Sequence, residues 1–282
     1  MKNITINNRN SMIKDTFFSW NRVQLLIKKN IRENWKAIGL RILLVYGTLA
    51  IAMIWNGYYS YKYIYSDAYN EPTASFMAPL FMWTLFIFGA ISASFVMEEL
   101  KNKTSKISFL MNPSTPFEKY FMKWFIYTVL FLIVFMVLFI WADSTKVLIY
   151  KIIYPGNTHI AMFNYSGLID FSNSQSYTIF SSWNELGIAV SGYMLVQSLF
   201  ILGGTIWPKG AFIKTFAAIV TIICIGMALI YYSYKDFNNV NFDSNNDDTM
   251  SIIFIAVASF FAIFDWVISY FRFKETEIIN RM

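Results

Sequence analysis

The sequence of 282 residues contains a single cysteine, Cys224, and a single histidine, His159. One cysteine excludes a disulfide framework within the chain, and the two residues are too few to form the clusters that bind structural or catalytic zinc. We also expect no catalytic triad, because the one histidine falls in a predicted outer loop. We therefore expect neither a metal ion nor another cofactor.

Catalytic motifs are also missing. The sequence has no glycine-rich phosphate loop that ends in Lys-Ser or Lys-Thr, so we do not expect the chain to hydrolyse ATP by itself. It has no His-Glu-x-x-His metal site and no Gly-x-Ser-x-Gly nucleophile turn. An enzyme is the class of function that the sequence favours least.

Charged residues are scarce: they make up 14% of the chain, whereas a soluble domain carries about a quarter. The apolar residues collect in six stretches that can each cross the roughly 30 Å of hydrocarbon as a helix of about 20 residues. These stretches are residues 39–56, 75–97, 119–142, 184–207, 212–233 and 250–271. The predicted fold class is an all-α integral membrane protein with six transmembrane helices and an N-terminal interfacial amphipathic helix.

Lysine and arginine are unevenly distributed between these stretches. If the amino terminus is inside, 19 of the 23 basic residues fall on the inner side. Cytoplasmic connections are enriched in Lys and Arg, so we expect both termini in the cytoplasm. The net charge of +6 then reflects basic residues next to the bilayer, and no nucleic-acid partner is expected.

The same pattern divides the chain into parts. They are a cytoplasmic and interfacial amphipathic segment (1–38), a six-helix transmembrane domain (39–272) with a cytoplasmic coupling connection (98–118) and an extracytoplasmic loop (143–183), and a cytoplasmic tail (273–282). Within residues 17–38, apolar residues recur at spacings of three and four, and cations lie mainly on the other side. This is typical of a helix at the membrane surface. We interpret it either as an anchor or as a lever joining the first span to a cytoplasmic partner.

The cytoplasmic connection carries two features that could couple the chain to a partner. The first is an apolar stripe among lysines, formed by Leu100, Ile107, Leu110 and Met111. An apolar stripe at the cytoplasmic surface is something that a soluble protein could bind.

The second feature is a predicted capping box at the start of the third span. Thr115 can cap the helix with its hydroxyl group, Pro116 suits the first helical turn, and Glu118 can reach back to the cap. We expect this arrangement to fix where the helix begins and how stiffly it follows the preceding loop.

A short motif in this region resembles a known family. The stretch Leu110-Met111-Asn112-Pro113-Ser114, then Glu118-Lys119-Tyr120 and Trp124, is similar to a stretch in permease-like proteins of Bacteroidetes-type bacteria. With the amphipathic start, the six spans and the helical inner connection, the chain resembles the permease subunit of type-2 ABC exporters. The family places its larger outer elaboration between the fifth and sixth spans, whereas here the connection between the third and fourth spans is longest.

The resemblance implies a function and partners. Residues 100–111 would be a coupling helix that docks on a separate cytoplasmic ABC ATPase, which drives export of a substrate that the sequence does not identify. Two permease subunits would enclose the path, as a homodimer or as a heterodimer with a second permease. The implied location is the bacterial inner (cytoplasmic) membrane.

Asp265 supports an alternative function. It is the only acidic residue deep within a predicted span, where a carboxylate costs at least about 2.5–3.5 kcal/mol and normally faces a partner or water. A proton- or ion-coupled carrier or channel could use such a group, although a structural carboxylate is also possible. A third interpretation is a scaffold that assembles membrane complexes and transports nothing.

Two smaller features concern packing. Gly89 and Ala93, four residues apart, are interpreted as small residues that let helices approach closely within the chain. Cys224 is interpreted as a small buried hydrophobe.

Overall fold

The computed structural model describes residues 17–62, 74–155, 160–163, 165, 180, 182–236 and 247–278. These residues form an all-α structure, which confirms the predicted fold class. Six helices in the described part are long and apolar enough to cross a membrane. The chain is therefore a multi-pass α-helical membrane protein.

Eight α-helices follow one another along the described chain. They are α1 (Trp20–Lys62), α2 (Ala74–Ser94), α3 (Lys103–Leu110), α4 (Pro116–Phe125), α5 (Phe131–Ile153), α6 (Trp183–Ile206), α7 (Ala211–Asp236) and α8 (Asp247–Ile278). A 3₁₀ turn at Glu98–Lys101 precedes α3, and a π-helical turn at Ile126–Leu130 joins α4 to α5. Helix α3, with 8 residues, is too short to span and lies between the second and third spans.

Helix α1 contains both the amphipathic segment and the first span. Its 43 residues correspond to about 65 Å, roughly twice the hydrocarbon thickness. The backbone leaves helical geometry at Asn34, with φ −107° and ψ 15°. The predicted boundary at residue 38 thus falls inside one helix, and the bend that separates its two parts lies four residues earlier.

Helices α4 and α5 form the third span as one continuous stretch, Pro116–Ile153. The π-helical turn between them inserts an extra residue per turn, a feature that is frequent at functional sites. Helix α5 runs past the predicted end of the third span at residue 142 and ends at Ile153, and no helix-breaking residue occurs before Pro155.

The helices of the described part pack around three groups of buried residues: a core formed mainly by α1, α2 and α5, and one group toward each end of the bundle. At the end where α1 begins and α8 ends, Val23 and Phe273 pack in one core with Phe109 of α3. We call this the α3 end. At the opposite end, which we call the far end, Tyr61 of α1 contacts Tyr150 of α5, with ring centroids 5.0 Å apart.

Helix α6 lies in contact with α2, α7 and α8, and glycines allow two of these approaches. A Cβ atom on Gly89 would lie 2.6 Å from the ring of Tyr193, so α2 and α6 meet there without room for a side chain. A Cβ on Gly203 would collide with the side chain of Thr215 on α7. The interpretation of Gly89 as a packing position within the chain is confirmed.

Helix α7 packs mainly on α6, and most of its apolar surface faces outward. Cys224 lies on this surface and is exposed, so its interpretation as a buried residue is wrong. The reason is that α7 lies at the edge of the bundle, where the apolar environment is supplied by lipid and not by neighbouring helices.

Candidate functional site

The surface of α3 carries the exposed part of the predicted apolar stripe. The side chains of Ile107 and Met111 are 59% and 78% exposed. Leu100 instead lies partly buried against the core at the α3 end, and the side chain of Leu110 lies outside the described part. Two of the predicted docking residues therefore present apolar surface outward, and Leu100 helps to hold the connection in place.

Phe109 fixes α3 to the bundle. It is 7% exposed and packs against Phe273 of α8, with ring centroids 6.0 Å apart. The ammonium of Lys123, on α4, lies 5.5 Å from the centroid of the Phe109 ring. Such a cation over an aromatic face is attracted by the ring quadrupole. A residue outside the predicted stripe thus supplies the inward face of α3.

Glu99, in the 3₁₀ turn before α3, bridges two other helices. Its Oε1 lies 2.5 Å from Nζ of Lys123 and accepts a hydrogen bond of 3.1 Å from Nδ2 of Asn30 on α1. Lys123 and Asn30 are 3% and 5% exposed and the Glu99 side chain is 22% exposed, so both contacts are partly buried. Any movement of the 3₁₀ turn therefore acts directly on both α1 and α4.

Unpartnered acceptors lie beside this bridge. Within the described residues, Oε2 of Glu99 and Oδ1 of Asn30 are buried without a hydrogen-bond partner. Both residues line a cavity of about 130 Å³ that also reaches Asn34, where α1 bends. A polar cavity of this size holds a few water molecules, which can satisfy the two oxygens. The bend in α1 thus lies next to a space into which side chains can move.

Glu98, the neighbouring carboxylate, pairs with the second half of α1. Its Oε2 lies 2.5 Å from Nη2 of Arg41, and Nη1 of Arg41 donates to the hydroxyl of Tyr127 at 3.4 Å. The guanidinium also stacks 3.9 Å from the centroid of the Phe95 ring. Adjacent carboxylates therefore contact α1 on either side of its bend, since Glu99 reaches Asn30 before it and Glu98 reaches Arg41 after it.

The predicted capping box is confirmed. The amide of Glu118 donates to the hydroxyl of Thr115 at 3.3 Å, and Oε2 of Glu118 accepts from the amide of Thr115 at 3.2 Å. Pro116 occupies the first turn of α4, as expected. The start of α4 is thus defined by reciprocal hydrogen bonds.

The carboxylate of Glu118 also has a long-range role that the sequence did not reveal. It is 0% exposed, and its Oε1 accepts from the amide of Ser19 at 2.7 Å and contacts Nη2 of Arg22 at 2.9 Å. The hydroxyl of Thr115 donates to the carbonyl of Phe17 at 3.1 Å. One carboxylate therefore ties the first turn of α1 to the first turn of α4, and it has no surface left for a partner.

Asp265 lies at the contact between α6 and α8. It is 7% exposed, and its Oδ2 lies 3.0 Å from Oγ of Ser198, which is fully buried. The same hydroxyl lies 2.8 Å from the carbonyl oxygen of Leu195. Within the described chain, no cation lies within ion-pair distance of Asp265. The carboxyl group therefore has a neutral partner in the bundle interior.

A third buried acidic residue, besides Glu118 and Asp265, was not predicted from the sequence. Asp143 of α5 lies 2.6 Å from Nζ of Lys146, one turn later, and the two side chains are 0% and 1% exposed. Its Oδ2 accepts from the amide of Phe163 at 2.8 Å and from the hydroxyl of Tyr165 at 3.0 Å. Burial, and then the neighbouring carboxylate, raise the pKa of the Tyr165 phenol. The Asp-x-x-Lys spacing at the end of an apolar run was the available signal.

Among the described residues, no group of three or more His, Cys, Asp or Glu side chains is arranged to hold a metal ion. The fold and its buried charges together define a multi-pass α-helical membrane protein with an ion-paired, partly exposed connection at the α3 end. Comparisons with protein-family models, with curated proteins and with solved structures found no match for this chain.

Proposed function

We propose that the chain is the membrane-spanning permease subunit of an ABC-type exporter, driven by a separate cytoplasmic ATPase that docks on α3. The observation that carries the proposal is the exposed apolar pair Ile107 and Met111 on a short helix outside the spans. Exposed apolar surface on a helix that is otherwise rimmed by lysines is typical of a protein–protein contact. The motif that resembles type-2 permeases begins in the same helix.

The contacts around α3 support a role in transmitting force. A push on α3 reaches α8 through Phe109 and reaches α4 through the pair of Glu99 with Lys123. It reaches α1 through Glu98 and Arg41. Lys123 is 3% exposed, so separating it from Glu99 would leave a buried charge without its partner. The pair of Glu98 and Arg41 is more exposed and is the weaker of the two ionic links.

The proposed location is the bacterial inner membrane, with both termini in the cytoplasm, because basic residues concentrate at the α3 end of the chain. Six spans form a small bundle, so we propose a homodimer or a pair with a second permease. The outward faces of α7 and α8 offer the apolar surface that such a contact needs within the bilayer.

The test is co-purification with the ATPase. Ile107→Asp combined with Met111→Asp places two carboxylates on the docking surface and should abolish binding of the ATPase without affecting membrane insertion. The matched control is Ile107→Leu with Met111→Leu, which keeps apolar surface and should bind normally. Normal binding by the double Asp variant would overturn the proposal, as would absence of any ATP-dependent flux in the assembled complex. The latter result favours a scaffold that transports nothing.

A second candidate function rests on Asp265. A titratable group buried between α6 and α8 with a hydroxyl partner is the kind of group that a proton- or ion-coupled carrier uses. Replacing the carboxyl group by an amide separates this function from the first, since an ABC-type permease does not require that residue to exchange a proton.

A further inference from the structure

Residues 160–163 and 165, which follow α5, pack against the far end of the bundle. Ile160 is 2% exposed and packs in one cluster with Tyr61, Val147 and Tyr150. The rings of Phe163 and Tyr165 lie against the core formed by α1, α2 and α5. We call the described residues 160–163 and 165 the plug, since they cover apolar side chains that the helix ends would otherwise expose.

The plug is attached to the bundle through one carboxylate. Oδ2 of Asp143 accepts both from the amide of Phe163 and from the hydroxyl of Tyr165. The other oxygen of Asp143 contacts the ammonium of Lys146, one helical turn away. The attachment is therefore polar, although its surroundings are apolar and both charged side chains are fully covered.

A polar attachment costs more free energy of desolvation than an apolar one would in a permanent closure. Burying a carboxylate and an ammonium costs several kcal/mol for each ion, and well-packed apolar residues at such positions are often equally stable or more stable. A polar attachment has a different advantage: when the plug leaves, water can replace its two donors, and Lys146 still neutralises the carboxylate. Hydrogen bonds contribute little net free energy when water can substitute for them. The arrangement is suited to a contact that opens and closes.

We propose that the plug is a releasable closure of the far end, latched on Asp143 and with Lys146 as its fixed counter-charge. On the proposed transport function, on which this part of the inference rests, the plug is the outer gate of the path. The latch itself requires no partner protein and can be tested alone.

The test measures how fast a maleimide reacts with single cysteines in the full-length protein, reconstituted in lipid nanodiscs with Cys224→Ser. Ile160→Cys reports the covered position, and Ala161→Cys reports its exposed neighbour. Tyr165→Phe removes one donor to Asp143 and keeps the ring. It should accelerate labelling of Ile160→Cys by about tenfold to a hundredfold, as expected for the loss of one hydrogen bond to a charged group. Labelling of Ala161→Cys should not change.

The matched control is Tyr46→Phe. It removes a phenol that lies 2.7 Å from the hydroxyl of Thr145, also between α1 and α5, and it should leave both labelling rates unchanged. Asp143→Asn serves as a second latch variant, and gel filtration with a melting curve confirms that each variant is folded. Equal labelling of Ile160→Cys and Ala161→Cys in the parent would show that the plug is not closed. Slow labelling of Ile160→Cys in both latch variants would show that Asp143 does not hold it.

The gate is tested separately in the complex with the ATPase. Addition of ATP should increase labelling of Ile160→Cys about tenfold with the latch intact. No change with ATP contradicts the gate and leaves the latch standing. Loss of ATPase binding to the parent protein contradicts the proposed function and does not affect the labelling results in nanodiscs.

Discussion

The contact between Glu118 and Arg22 gives a prediction that depends directly on the structure. The two residues are 96 positions apart, and their side chains lie 2.9 Å apart at the shared start of α1 and α4. Glu118→Gln removes the charge of the carboxylate but keeps its size, and Arg22→Met removes the guanidinium but keeps most of the aliphatic stem. Each single variant removes one of the two charges of this pair.

The magnitude follows from the burial of the pair. A fully buried pair that loses one partner costs about 3–5 kcal/mol, and an exposed pair about 0–1 kcal/mol. Glu118 is 0% exposed and the Arg22 side chain is 38% exposed, so the pair lies between these limits. We expect each variant to lower the free energy of unfolding by about 2 kcal/mol and the two to be coupled by about 1–2 kcal/mol.

The assay is a double-mutant cycle on reversible unfolding in mixed micelles of detergent and SDS. The chain contains its own control, the pair of Lys29 and Glu33, which lies 3.8 Å apart on one face of α1 with both side chains substantially exposed. That pair should couple by less than about 0.5 kcal/mol. If the coupling between Glu118 and Arg22 is no larger than in the control pair, this ion pair does not help to hold α1 to α4.

Two further predictions concern the contacts of α6. Gly203→Ala should lower the free energy of unfolding by about 1–3 kcal/mol, because the added methyl group would collide with Thr215. The control is Gly226→Ala, which should be neutral or slightly stabilising because its methyl group meets nothing within 4 Å. Equal effects of the two variants would show that α6 and α7 are not packed this closely. Asp265→Asn keeps a side chain that can bond to Ser198, so ATP-driven export should continue at a rate within about twofold of the parent. Loss of all transport with unchanged ATPase binding would instead favour the ion-coupled carrier.

The spans and their number could be predicted from the sequence because they depend on a local property. Each span is a run of apolar residues long enough to cross the roughly 30 Å of hydrocarbon, although the helices of the first and third spans extend well beyond the predicted bounds. The capping box was equally accessible, since Thr115 and Glu118 contact each other within one helical turn. Both features depend on residues that are close together in the sequence.

The long-range contacts could not be predicted in this way. Nothing near Glu118 in the sequence indicates that it also binds Arg22, and nothing near Phe109 indicates that it fixes α3 to α8. Asp143 and Lys146 have the spacing of an ordinary surface pair, and their burial depends on contacts with residues about 20 positions later in the chain. These positions depend on the packing of segments that are distant along the chain.

The side of the membrane on which α3 lies tests the account most directly. Single cysteines at Met111→Cys and Ala161→Cys, both with Cys224→Ser, would be labelled with an impermeant maleimide in right-side-out and inside-out membrane vesicles. The account predicts that Met111→Cys reacts only in inside-out vesicles and Ala161→Cys only in right-side-out vesicles. Labelling of both positions from the same face would contradict the six-span arrangement, and labelling of Met111→Cys from outside would remove the docking surface from reach of any cytoplasmic ATPase.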